Sequence, residues 1–503
     1  MSVKVSQRAA EFSLTLLLCA VFYHYATLPL WPTDLWDHVN YGRWILQHQQ
    51  LPETEPLVPL AADEPMAHSA WGGQVVMAAV TDRPHGTVLL QGLHAVLITL
   101  AAALPAFAVR RKCRLPSQVF GAIAAVATFV ALGWHQNAVV RPQTAGIVFY
   151  CWLVARLTTS PNRTSRPSLM LLALMLAAWS NLHGSFAVGL TFIALFGAGQ
   201  FVDLWCRGVK PRRLLQSAAA RTMLLRLLVA VAGSCCNPHG VFIFEVVLEV
   251  GRHPNIPSMV EWQPLTATPR QSFTFAVVAL LLTTTLLLSP RRRQWNLMLP
   301  LLFFAGFTIL SSRMINWLAP VAAVLIGLHL AAIIRRLVRR GFCAEATRLP
   351  VFTWLTAVGL SIVVVAQLPR LWHDETQDVL ADFTPVQAAE ALRQSPPTGL
   401  TFAPAEWVGY LQYHVPKFTP MVNLHVHLMP PDVWSDFLEL ARGRNNLLPL
   451  LDRYDIQCVV ADRRRNGPLI DVLRASSQWR QIHVDRQARI FVPVDGRKQP
   501  TSD

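Results

Sequence analysis

Long apolar runs alternate with short polar breaks over residues 1–370, and this alternation predicts a bundle of membrane-spanning helices. Apolar stretches lie near 12–31, 85–109, 117–134, 142–158, 168–205, 222–236, 272–289, 295–311, 315–334 and 350–368. Each approaches the roughly 20 mostly apolar residues that a crossing helix needs. The run 168–205 is too long for one crossing and carries Asn181-Leu182-His183-Gly184 at its centre, so it reads as two helices. The expected total is about eleven. The first run is not read as a cleavable signal peptide, because its apolar core is long and no small-residue cleavage site precedes Trp31-Pro32.

The pattern changes after about residue 370. Residues 371–503 have ordinary polarity and alternate helix-like with strand-like segments. Helices are expected at 385–394, 432–452 and 467–476, and strands at 400–403, 418–424, 456–461 and 489–494. The expected architecture is an α-helical polytopic membrane domain, 1–370, followed by a small extracytoplasmic α/β domain, 371–503. Residues 497–503 read as a frayed tail.

Composition agrees with this division, since 53% of residues are hydrophobic and 15% charged. The net charge of +15 sits mostly in loops between apolar runs. Arg110, Arg111, Lys112 and Arg114 form one basic loop, and Arg163 with Arg166 a second. Arg207, Lys210, Arg212, Arg213 and Arg221 form a third, Arg291 to Arg293 a fourth, and Arg335, Arg336, Arg339 and Arg340 a fifth. Basic loops face the cytoplasm, so the N-terminus with Lys4 and Arg8 is expected inside and the C-terminal domain outside. The charge therefore reports topology, and no soluble basic face with aromatics suggests nucleic-acid binding. The eight cysteines form no CxxC pair or Cys/His ladder, so neither a zinc site nor a disulfide framework is indicated.

The polar clusters of the apolar region fall on the side opposite the basic loops. They are Asp34-Leu35-Trp36-Asp37-His38, Arg141-Pro142-Gln143, Asn181 to Gly184, Asn237-Pro238-His239-Gly240, Glu261-Trp262 and Arg313. The first outer loop, 32–69, is the strongest candidate for chemistry. Thr33 reads as the N-cap of a helix running to His48, whose spacing puts Asp34, Asp37, His38 and Tyr41 on one face. Two carboxylates and an imidazole there can take a proton from an acceptor, bind a divalent cation, or both. They can equally be first-turn acids that complement the helix dipole. Arg141 can snorkel to the interface, whereas Asn181 and His183 interrupt an apolar run and need partners or a wet cavity. Asn237 and His239 sit in a strong turn signal, Glu261 precedes an interfacial tryptophan, and Arg313 can pair with a phosphate or a carboxylate.

The ordered motifs TDLWDHVNYGRWILQHQQLPETEP, HSAWGGQV, RPQ, NLHGSF, NPHG, EW and SSRMINW resemble a large family of bacterial multi-pass membrane proteins. That family is similar in layout to the GT-C glycosyltransferases, which use polyprenyl-phosphate sugars. Its first-loop pattern is matched by Asp34, Trp36, His38, Gly42 and Ile45, then by Pro52, Glu55, Pro56 and Trp71. WVGYL at Trp407 to Leu411 and the late YDIQCVV match the family's tail in kind. Asp37 stands where many relatives carry an aromatic or glycine, and Ala70 to Gln74 lacks an acid that some members show.

The resemblance implies an enzyme of the bacterial cytoplasmic membrane that moves a sugar from a lipid-phosphate donor to a glycan, lipid or protein acceptor on the outer face. Asp34 would activate the acceptor, with Asp37 and His38 assisting by proton transfer or by holding a divalent cation. Arg141 and Arg313 would stabilise the leaving phosphate. Glu55, Asn181, His183, Asn237, His239 and Glu261 would line the substrate site. The chain carries no P-loop and no Rossmann glycine fingerprint, as a lipid-linked donor requires none. Two other classes stay open: a non-enzymatic scaffold or sensor, and a transporter or flippase of lipid-linked glycans.

Overall fold

The computed structural model describes residues 2–113, 115, 118–340, 379–444 and 447–494. The expected span 350–368, Arg114 of the first basic loop and the tail 497–503 lie outside the described residues. The chain divides into two compact units.

The first unit comprises Met1–Leu28, Val88–Phe244 and Ser258–Glu375. Every apolar run up to residue 334 is helical. The long run 168–205 is indeed two helices, Arg166–Leu182 and Phe186–Trp205, separated at His183 to Ser185. Among the described residues, four helices are long and apolar enough to cross a membrane by length and composition: Gly86–Lys112, Phe186–Trp205, Pro269–Leu288 and Ser312–Arg339. Glu11–Ala26, Val119–Gly133 and Trp295–Leu310 are apolar but shorter, so this criterion does not reach the expected eleven or so.

Burial separates inner from outer helices. Ile315–Arg339 is apolar on all sides and buried continuously from Ile315 to His329, the mark of a core helix. Pro269–Leu288 is as apolar, yet Phe273 is 73% and Leu280 69% exposed. An outward apolar face of this kind is unfavourable in water and suits lipid. The core helix packs along Val119–Gly133 through two glycines. A Cβ added at Gly121 would lie 2.4 Å from the Gly327 carbonyl oxygen, and one at Gly327 would lie 2.6 Å from that of Gly121. Without aqueous solvent to drive helices together, such backbone proximity is the main source of packing energy between them.

The second unit comprises Pro29–Thr87, Glu245–Pro257 and Thr376–Asp503. Its sheet contains β1 (Leu400–Phe402), β2 (Thr419–Pro420), β3 (Cys458–Asp462), β4 (Trp479–Val484) and β5 (Ala488–Pro493), in the order β2-β1-β3-β5-β4. β2, β1 and β3 run parallel, and β5 pairs antiparallel with both β3 and β4. β3 is the buried middle strand, which is why Cys458 to Ala461 reads as an unbroken apolar run.

Three expectations change here. The helix expected over 432–452 is two, Pro431–Arg442 and Leu447–Arg453, because Gly443 ends the first in a left-handed conformation at φ +65°. The strand expected over 418–424 shortens to Thr419–Pro420. β4 was not anticipated, since an edge strand with Arg480 and Gln481 exposed lacks an apolar alternation.

The first-loop helix, Asp34–His48, belongs to this unit and packs against Trp71–Thr81 and Ala405–His414. A Cβ at Gly42 would fall 2.0 Å from the Gln74 carbonyl oxygen. One at Gly409 would fall 2.5 Å from Asp37 Oδ1. Leu30 donates its N–H to the Val379 carbonyl at 2.6 Å and accepts from Ala381 at 2.9 Å, so the chain enters the loop already paired to the C-terminal segment.

Gly121→Ala and Gly327→Ala should each cost about 1–3 kcal/mol through overpacking at the helix crossing. The expected result is a lower thermal midpoint in detergent for both variants. An unchanged midpoint in both would refute the close-packing assignment.

Candidate functional site

The second unit builds a buried acid network on one face of Asp34–His48. Thr33 is the N-cap as expected, although its hydroxyl makes no capping hydrogen bond. Asp37 and Tyr41 are buried, whereas Asp34 and His38 remain half-buried. The Tyr41 hydroxyl donates to Glu55 Oε2 at 2.5 Å and accepts from Asn423 Nδ2 at 2.8 Å. The other Glu55 oxygen accepts the Leu57 N–H at 2.8 Å. Asn423 Oδ1 accepts the His425 N–H at 2.9 Å, and the His425 ring stands edge-on to both Tyr41 and His38. Asp37 Oδ2 accepts the Leu424 N–H at 3.2 Å, while Oδ1 has no hydrogen-bond partner among the described residues.

Dipoles rather than cations serve these acids, and burial dominates their ionisation. Burial pushes the Asp37 carboxyl well above the usual range, the Leu424 N–H opposes it, and Asp34 and Glu55 add to the rise. Glu55 is raised by burial to about 6 despite the Tyr41, Leu57 and Val58 donors. Burial, then His38 and His427, hold His425 well below the ordinary histidine value.

The first unit holds the opposite arrangement. Glu261, in the short turn Val260–Trp262, bridges two guanidinium groups. Its Oε2 lies 2.6 Å from Arg141 and its Oε1 pairs with Arg313. Arg313 also donates to Gln143 Oε1 at 3.1 Å and lies 5.2 Å from the centre of the Trp262 ring. Ser312 fixes the turn, its hydroxyl donating to the Glu261 carbonyl and its N–H to that of Gln263, both at 3.0 Å. Burial alone would raise the Glu261 carboxyl, but Arg313 and Arg141 outweigh it and hold it at about 2. His183 is driven to about 3 by burial, Arg313 and Arg141, and is therefore neutral near pH 7.

Asn181 and Asn237 hold backbone. Asn181 Nδ2 donates to the Ala177 and Cys236 carbonyls, each at 2.7 Å, tying its helix end to the loop after Ala218–Ser234. Asn237 donates to Ser234 and Gly240 carbonyls and accepts the His239 N–H, which is the turn its sequence signalled. Sequence reasoning missed Asn423 and His425 as partners of the first loop. Two histidines in Asn423-Leu424-His425-Val426-His427, set among apolar residues, were the available signal. Among the described residues, no group of three or more His, Cys, Asp or Glu side chains is placed to hold a metal ion.

Two predictions test these electrostatics. Glu55 carries a raised folded pKa, so its contribution to stability is present below its ordinary value of 4.5 and is lost as pH rises through about 6. Glu55→Gln should remove about 2 kcal/mol of that decline, flattening thermal stability between those pH values. An unchanged slope would contradict the assignment. Glu261→Gln should strip the bridge from two half-buried cations and cost about 3 kcal/mol at pH 7. The same variant should also abolish the loss of stability as pH falls from 4.5 toward about 2, because Glu261 has a depressed folded pKa. Melting curves across pH would expose either failure.

No family model matches the sequence, and no curated protein matches it. Solved structures do match in fold. The apo oligosaccharyltransferase of Archaeoglobus fulgidus superposes with a TM-score of 0.58 at 12% identity, covering 92% of this chain and 69% of that one. ArnT from Cupriavidus metallidurans, bound to undecaprenyl phosphate, gives 0.51 at 13% identity and covers 96% and 98%. The mycobacterial arabinofuranosyltransferase AftD gives 0.51 at 16% identity, and 98% of this chain corresponds to 42% of that larger protein. All three are GT-C glycosyltransferases, and this chain shares their fold.

Proposed function

We propose that this protein is a membrane glycosyltransferase that moves a sugar from a polyprenyl-phosphate donor to a glycan, lipid or protein acceptor on the outer face of a bacterial cytoplasmic membrane. The observation that carries the proposal is the GT-C fold spanning nearly the whole chain. ArnT was solved with undecaprenyl phosphate and the oligosaccharyltransferase with an acceptor peptide. Those ligands belong to those proteins and support only the general classes of donor and acceptor here.

The chemistry is a displacement at the anomeric carbon. The acceptor hydroxyl or amide attacks that carbon, the bond from carbon to phosphate oxygen breaks, and polyprenyl phosphate leaves with the electron pair. Asp34, half-buried in the first turn of its helix, takes the acceptor proton. His38 lies on the same face and orients the acceptor. Arg141 and Arg313 supply positive charge and donors to the departing phosphate, while neutral His183 adds no competing charge. Glu261 holds both guanidiniums in place before substrate arrives, which lowers the reorganisation needed during the reaction. Asp37 is assigned positioning rather than proton transfer, since burial favours its neutral form and its Oδ2 anchors Leu424.

Transfer from a panel of labelled polyprenyl-phosphate sugars, in membranes matched for protein level, tests the reading. Asp34→Asn should lower transfer by about 10²-fold or more, the usual contribution of a general base. Arg313→Gln should lower it by about 10²–10³-fold through lost stabilisation of the leaving group. Asp37→Asn, which keeps the size and the acceptor oxygen, should retain most activity. Full transfer by Asp34→Asn would overturn the site, and tolerance of all three substitutions would favour a scaffold.

A further inference from the structure

The second unit contains a cavity of about 630 Å³ that the reaction above does not use. It opens among the first-loop helix, His85 and the start of Gly86–Lys112, and the helices Val386–Gln394 and Ala405–His414. On the first-loop helix its wall is Trp36, two residues from both Asp34 and His38 and so nearly opposite them around the helix. The cavity is therefore separate from the reacting face.

Its inner wall is aromatic. Trp36 and Tyr410, almost fully buried, back it and meet edge to face at 5.3 Å, while the half-buried Tyr413, 4.8 Å from Trp36, and His414, 4.3 Å from Tyr410, keep accessible ring surface. Its rim is polar. Gln387, Glu390 and Arg393 recur every third residue on one exposed helix face. They present an amide, a carboxylate and a guanidinium, which together offer several donors and acceptors.

The charges around the cavity cancel. Glu390 pairs with Arg393 at 3.5 Å. Arg43, lying 3.7 Å over the Tyr413 ring, pairs with Asp82 at 2.6 Å. His414 is lowered to about 4 by burial, Arg43 and Arg393, so it is uncharged at neutral pH. An acyl chain would make no use of the donors and acceptors of the polar rim. A phosphorylated ligand would meet only cations that are already paired. A ligand that is apolar on its faces and polar at its edges, and carries no charge, satisfies both wall and rim.

We propose that this cavity binds a short neutral saccharide, its C–H faces against Tyr413 and His414 and its hydroxyls on Gln387, Glu390 and Arg393. The choice of ligand class rests on the glycosyltransferase reading, whereas the demand for a neutral ligand with apolar faces rests on the cavity alone. A saccharide held here lies away from the bond being made, so its binding energy selects and orients the acceptor.

The test uses the full chain in lipid nanodiscs and a panel of neutral di- and trisaccharides, with binding read by saturation-transfer NMR and calorimetry. Gln387→Trp fills the cavity from an exposed helix position, and Tyr413→Ala removes part of the wall. Thermal melts establish that both remain folded. At least one saccharide should bind wild type and bind Gln387→Trp ten-fold or more weakly, with Tyr413→Ala also weakened. No binding by any saccharide, or equal binding by wild type and Gln387→Trp, overturns the proposal. Displacement of a bound saccharide by inorganic phosphate also overturns it, because a neutral site would not favour the anion. Saccharide binding without transfer from any donor would count against the transferase reading alone. Transfer without saccharide binding would count against this inference alone.

Discussion

The second unit depends on one steric constraint: two helices must touch the first-loop helix at backbone distance. Gly42 admits the Gln74 carbonyl, and Gly409 admits the backbone and carboxyl of Asp37. Any side chain at either position would force the helices apart. The close approach lets Asn40 donate to the Gly409 carbonyl at 2.9 Å and brings Leu424 within reach of Asp37. It also dehydrates the acids, so the shifts at Asp37 and Glu55 follow from the packing. The aromatic wall of Trp36, Tyr410 and Tyr413 has the same origin, because it forms where the two helices meet.

Much of the fold was legible because apolar runs report burial without reference to distant partners. The runs through residue 334 gave the helices of the first unit, and Asn181 to Gly184 marked the break between two of them. Strand β3 was legible for the same reason. β4 was hidden because an edge strand needs one dry face at most, and the break at Gly443 was hidden because the apolar pattern continues on both sides of it. In each case, the missing information was a partner rather than a propensity.

The candidate site divides in the same way. Composition and spacing singled out Arg141, Glu261 and Arg313, but nothing local could say that one carboxylate serves both arginines across 120 and 52 residues of sequence. Asp34, Asp37, His38 and Tyr41 were placed on one face by helical periodicity alone. Their partner Asn423 lies 382 residues beyond Tyr41, in a loop without a regular period. Asn237, by contrast, carries the backbone-binding role that its turn chemistry suggested, and Asn181 finds the partners that an interrupted apolar run demands.

Glu55 and Glu261 show how far partner chemistry alone can separate two buried side chains of one kind. A tyrosine hydroxyl and backbone N–H groups offer Glu55 only dipoles, which fail to offset dehydration, and its carboxyl rises to about 6. Two guanidiniums offer Glu261 full charges, which exceed the same penalty, and its carboxyl falls to about 2. In the acid network, Glu55 changes charge at about 6. Sensitivity to mild acidification thus belongs to the second unit, where Glu55 binds its proton more tightly than in the unfolded chain.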